Sequence, residues 1–159
     1  MFTANVDTTG KNAYHYLESS EAVFRFVPWD FNASFGQRWN TRRANYDSNM
    51  FHRNGIWKRM ASNPDLRDEM RTRFRSAMAG AYAKTEIINL LDAFAAETEA
   101  SSTRDWKLWE DAYKNYSRWS SREDFTTPQQ EVDFIRDWIS ERMQYLDESL
   151  DELLLGNDD

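Results

Sequence analysis

The chain has 159 residues, 40% hydrophobic and 15% aromatic, which suffices for one compact core of ordinary domain size. No apolar run approaches the roughly 20 residues of a membrane span, Met1–Lys11 lacks the apolar centre of a signal peptide, and the absence of cysteine excludes disulfide scaffolds, Cys-ligated zinc and thiol catalysis. Net charge is −7 and unevenly spread: residues 131–159 hold ten acidic residues against Arg136 and Arg142, whereas residues 38–75 hold nine Arg and Lys58 against Asp47, Asp65, Asp68 and Glu69.

Along the chain, Ala13–Leu17 and Ala22–Val27 are rich in aromatic and β-branched residues and are separated by Glu18-Ser19-Ser20-Glu21, a pattern that predicts a β-hairpin. Alternation places Val23, Arg25 and Val27 on one face and Phe24 and Phe26 on the other, which is assigned to the core, and Pro28 ends the second strand. From Trp29 to Asn54 there is no steady period, so a long loop with at most short helical turns is expected. The pattern turns helical at Ile56. Asn63-Pro64-Asp65 supplies an N-cap, a proline at the first helical position and an acidic first turn, followed by the stripe Leu66, Met70, Phe74, Ala77 and Ala81. Thr85 is read as the cap of a second helix carrying Ile87, Leu91 and Phe94, and Ser101 or Ser102 as the start of a third carrying Trp106, Trp109, Tyr113 and Tyr116. Thr127-Pro128-Gln129-Gln130 has the form of a capping box and opens a last helix, with Val132, Ile135, Ile139, Leu146, Leu150 and Leu153 inward and Gly156 past its end.

These stripes predict an antiparallel helical array with a core of Leu66, Met70, Phe74, Ile87, Leu91, Phe94, Ile135, Ile139 and Leu146. Trp106, Trp109 and Trp119 either join that core or line a groove. The arginine-rich middle faces an anionic ligand or pairs with the acidic last helix, and solvated or internally paired arginines are the ordinary case. His15 and His52 are too few for a His-rich metal site, so any metal here takes oxygen ligands.

Chemistry concentrates in the first 36 residues. Asp7 is followed five positions later by Asn12, and the hairpin then leads to Asp30 in Pro28-Trp29-Asp30-Phe31-Asn32-Ala33-Ser34-Phe35-Gly36. An aspartate, an asparagine at +5 and a hairpin returning a second aspartate is the layout of a kinase catalytic loop and metal loop. Asp7 is the candidate to align an attacking hydroxyl and take its proton. Asn12 and Asp30 are candidate hard-oxygen ligands for magnesium, because strands joined by a short turn bring their outer ends together. On spacing alone the same residues also serve as a turn former and a strand-start cap.

Asn12-Ala13-Tyr14-His15-Tyr16 and Phe24-Arg25-Phe26-Val27-Pro28-Trp29-Asp30-Phe31-Asn32-Ala33-Ser34-Phe35-Gly36 resemble the spore-coat protein H (CotH) family of atypical protein kinases, and Asn63–Arg67 and Trp138–Arg142 continue the resemblance more loosely. The resemblance implies a mainly α fold with a small N-terminal β-hairpin, like the C-lobe of an atypical protein kinase. It implies one domain over 1–159, with a catalytic-loop, hairpin and metal-loop segment 1–36, a loop 37–54, a helical array 55–155 and a tail 156–159. In the full-length parent it implies phosphoryl transfer from ATP to a protein hydroxyl with Mg2+ or Mn2+, Asp7 catalytic and Asn12 and Asp30 on the metal. Asn32 stands where the family usually has a second acid and is a possible further ligand. No Gly-rich phosphate loop or strand lysine is found, so an N-lobe segment is an expected partner and the fragment alone is expected to be inactive. The alternative is a non-catalytic helical module that binds a partner protein. Neither nucleic acid nor membrane is an expected partner, since the chain is acidic overall and has no groove-reading motif.

Overall fold

Phe24–Pro28 (β2) pairs antiparallel with Ala13–Leu17 (β1) in the computed structural model, Ala13 opposite Pro28 and Leu17 opposite Phe24. The structure describes residues 2–5, 7, 10–19, 23–38, 42–115 and 127–156. Cross-strand aromatic contact holds the ribbon: the His15 and Phe26 rings meet edge to face at 5.3 Å, and Tyr14 stacks on Trp29 at 5.9 Å. The expectation that Phe24 and Phe26 enter the core is corrected, because they are 73% and 39% exposed. Alternation identifies residues that share a face, but burial needs a second layer, and α1 touches the ribbon at Phe26 through the edge of Trp57.

Among the described residues four α-helices follow: α1 (Gly55–Ser62), α2 (Pro64–Ala79), α3 (Lys84–Asn115) and α4 (Pro128–Leu155). Each start that is capped follows from local chemistry. Asn54 Oδ1 accepts from the Ile56 and Trp57 amides, Asn63 Oδ1 from Asp65 and Leu66, and Thr127 and Gln130 exchange both bonds of a capping box. At the far end of α4, Gly156 adopts φ +73° and the His52 ring lies 2.9 Å from where a Cβ would stand. His52 Nε2 is 2.7 Å from the Leu153 carbonyl, one of the acceptors that the helix end leaves open.

Two helices expected on either side of Ser101 are one. The Ser101 and Ser102 hydroxyls donate back to the Thr98 and Glu99 carbonyls at 2.8 and 3.0 Å rather than capping a new start, and no Gly or Pro interrupts residues 84–115. Trp106 stacks on Tyr113 at 6.2 Å and lines a cleft of about 320 Å³ against the start of α4, while Trp109 is exposed. Tyr116 and Trp119 lie outside the described residues.

The last helix is the axis of the fold. Trp138, Ile139, Met143, Leu146, Leu150, Leu153 and Leu154 are all buried on it. Met78, Ile87, Ile88 and Leu91 pack at its middle with Phe2, Ala4 and Phe35, and Phe51, Trp57, Ala61, Met70 and Phe74 pack toward its end. Two predicted core residues are corrected, since Leu66 is 40% and Phe94 56% exposed. On α3 the line of contact continues from Leu91 to the half-buried Ala95, which turns Phe94 outward; on the first turn of α2 it is Arg67 that reaches back, to the Ala61 carbonyl at 3.1 Å.

The long loop after β2 has a Phe51–Arg53 3₁₀ turn and several anchors on α4. Gly36 O accepts from Ala44 N at 2.7 Å, and Trp138 Nε1 donates to Ala44 O at 3.0 Å. Arg43 grips Glu131 with two bonds of 2.9 and 3.1 Å and lies 3.6 Å over the Phe134 ring. With Arg71 and Arg75 both on Asp151, part of the basic middle is therefore paired with the acidic last helix. No helix among the described residues is long and apolar enough to cross a membrane.

Candidate functional site

The open end of the hairpin is where the polar residues gather. One carbonyl shapes the turn before β1: Asp7 O accepts from the amides of Gly10, Lys11 and Asn12 at 3.2, 2.9 and 3.1 Å. The Asp7 side chain is 20% exposed, and its Oδ2 lies 3.2 Å from Lys11 Nζ, a pair exposed enough to contribute little to stability. Asn12 follows and is buried. Its carbonyl accepts from Trp29 N at 3.1 Å, which carries the ladder one step past the Ala13–Pro28 pair and sets Asn12 beside Asp30.

Asn12 Nδ2 then donates to Asp30 Oδ2 at 3.2 Å and approaches the Asp30 carbonyl at 3.5 Å. Asp30 holds φ +57°, a left-handed conformation that aspartate tolerates better than most residues, and it is exposed while Asn12 is not. The pair thus joins a fixed, buried carboxamide to an accessible carboxylate. Asn32 is exposed in the next turn, and Ala33 and Ser34 turn back into the protein. Of the residues singled out in the sequence, Asn12 and Asp30 are in direct side-chain contact, Asp7 joins Asn12 through its backbone carbonyl, and Asn32 stands on the solvent side.

Two supporting groups were not singled out. Buried Asn5 donates to Asp30 O at 3.2 Å and to Ser34 Oγ at 3.0 Å, and its Oδ1 accepts from Asp7 N at 2.9 Å. The spacing Asn5-x-Asp7 carries an Asx-turn signal, although its longer-range bonds have no sequence signature. Arg142, 1% exposed, donates to the carbonyls of Tyr46 and Ser48 and, at 3.4 Å, of Phe2, so that α4 holds the segment leading to Asn5. Burial pushes its pKa down to about 10, which leaves it charged at neutral pH.

The donor set suits a hard divalent cation shared with other ligands. Among the described residues no group of three or more His, Cys, Asp or Glu side chains is placed to hold a metal ion. One carboxylate and one carboxamide oxygen match the one or two protein ligands that magnesium takes when phosphates and water complete its shell. To present Oδ1, the Asn12 carboxamide would exchange its bond to Asp30 for a shared cation.

The family model described as CotH kinase protein matches residues 1–146. Among curated proteins, none matches this chain.

Proposed function

This chain belongs to the CotH kinase family, and from that premise we propose that it carries the carboxylate-bearing part of a phosphoryl-transfer site, whose parent domain moves a phosphoryl group from ATP to a protein hydroxyl. The observation that carries the reading is the contact of Asn12 with Asp30 at the open end of the hairpin, one turn from Asp7. In this reading the chain corresponds to the C-lobe of the kinase-like fold.

Asp7 aligns the attacking hydroxyl and accepts its proton, with Lys11 Nζ 3.2 Å from its Oδ2. Asn12 and Asp30 hold magnesium or manganese, and Asn32 orients water or phosphate at the rim. A cation held by these residues would supply charge neutralisation to the phosphates. Asn12, buried and tied to both strands, limits where that cation sits, and positioning supplies much of the rate in such reactions. A nucleotide also needs enclosure from the opposite side, so the chain alone is expected to bind Mg-ATP weakly and to transfer no measurable phosphate.

A thermal-shift titration with Mg-ATP tests the reading. Because the binding expected of the chain alone is weak, Mg-ATP at a concentration near its Kd adds about 0.4 kcal/mol, equivalent to about 1–2 °C in Tm for a domain of this size. Asp30→Asn, chosen because asparagine also tolerates a left-handed backbone, should abolish the shift. No shift for the native chain at millimolar Mg-ATP, or an equal shift in Asp30→Asn, would refute it.

A further inference from the structure

One side chain bridges both halves of the candidate site. Asn5 is 5% exposed, so water competes little for its carboxamide, and both ends of that group are used. Its Oδ1 accepts the Asp7 amide at 2.9 Å, and its Nδ2 donates to the Asp30 carbonyl at 3.2 Å and to Ser34 Oγ at 3.0 Å. The last two bonds span 25 and 29 positions of chain, from the turn before β1 to the loop after β2.

We propose that Asn5 is a positioning residue that locks the Asp7 turn to the Asp30 loop, so that the two carboxylates keep a fixed relation. The proposal rests on the reading of Asp7 and Asp30 given above. A planar carboxamide offers donor and acceptor in one rigid unit, and no other side chain of this size does so. Aspartate keeps the acceptor and loses the donors; alanine loses both. The lock matters because Asp30 is exposed and sits in a left-handed conformation, and Ala4 (φ +47°) and Phe35 (φ +52°) on either side of the bridge are held in the same region. Such backbones persist where surrounding contacts over-determine them, and the Asn5 bonds, with Phe35 N donating to Thr3 O at 2.9 Å, supply those contacts.

Amide exchange without metal, followed by NMR on the native chain, Asn5→Asp and Asn5→Ala, separates the two ends of the lock. In Asn5→Asp the Asp7 amide should exchange within about twofold of native, while the Phe35 and Gln37 amides speed up about tenfold or more, the order expected when the two bonds donated by Nδ2 are lost. In Asn5→Ala all three should accelerate, with α4 amides unchanged in both variants. Mn2+ binding, read by water-proton relaxation, should weaken about tenfold in Asn5→Ala. Acceleration spread through α4, equal loss at Asp7 in both variants, or native exchange in both would overturn the proposal, as would native Mn2+ affinity in Asn5→Ala. If the native chain binds no Mn2+, the metal-ligand reading of Asp30 falls, and the exchange pattern by itself decides whether Asn5 couples the two loops.

Discussion

Gly36 closes the loop that begins at Asp30, and replacing it with alanine tests how that loop is seated. Its φ is +80°, where a Cβ costs about 1–2 kcal/mol. The new methyl would stand 2.6 Å from Trp138 Cδ1, 2.8 Å from Trp138 Nε1 and 3.0 Å from Phe134 Cζ. Neither ring has an easy retreat. Trp138 is buried with its Nε1 bound to the Ala44 carbonyl, and Phe134 lies under the Arg43 guanidinium. Overpacking of this kind costs about 1–3 kcal/mol, which with the backbone cost makes about 2–5 kcal/mol. At about 2–4 °C per kcal/mol, Tm should fall by about 4–20 °C. Urea unfolding followed by tryptophan fluorescence gives the free energy directly. Gly55→Ala is the control, since a Cβ there meets nothing within 4 Å on the first turn of α1, and it should be neutral or stabilising by up to about 1 kcal/mol. A loss below about 1 kcal/mol for Gly36→Ala would mean that the loop does not seat on Trp138, and the support that α4 gives the loop leaving Asp30 would go with it.

Leu146 is fully buried whereas Phe94 is 56% exposed, so Leu146→Ala should cost about 3–5 kcal/mol and Phe94→Ala less than about 1 kcal/mol in the same unfolding experiment; the reverse order would mean that the helix faces are rotated. Asp151 is held below its ordinary pKa by hydrogen bonding to Arg71, reinforced by the charges of Arg71 and Arg75. Its folded state thus binds a proton less readily than the unfolded chain, and the stability it contributes is present above the ordinary value of 3.8 and lost as pH falls through the folded value. Asp151→Asn should therefore flatten the decline of Tm below about pH 4, and an unchanged acid profile would show that the exposed pair contributes nothing.

Much of the helical framework was legible because helix starts are local events. Asn63-Pro64, Thr127 with Gln130, and Gly156 each act within a few residues of where they sit, and each marks an end of α2 or α4. Ser101 misled because a serine hydroxyl satisfies an N-cap or a carbonyl one turn back, and the choice depends on whether the chain has reason to break. Phe94 and Leu66 misled for a different reason. Periodicity identifies a stripe but not the angle at which another helix meets it, and a rotation of one residue exchanges Phe94 for Ala95. For the hairpin, spacing and composition were enough to foresee its two strands, but no pattern within ten residues records whether another layer lies over them.

The site divides along the same physical line. Asn12 near Asp30 follows from hairpin pairing, which sets Asn12 opposite Trp29 and so one residue from Asp30. What holds that pair in place comes from far along the chain. Arginine on a helix is ordinarily exposed, and nothing near Arg142 in sequence announces its burial. It is tolerated there because two segments turn three carbonyls toward it: Phe2 before the Asp7 turn, and Tyr46 and Ser48 after the Ala44 anchor. Trp138, one turn earlier on α4, backs Gly36 and binds Ala44. One stretch of the last helix therefore supports both the segment entering Asn5 and the loop leaving Asp30. Asn5 then joins those two segments at the site itself, which makes the relation between the carboxylates a property of tertiary packing rather than of the motif that contains them.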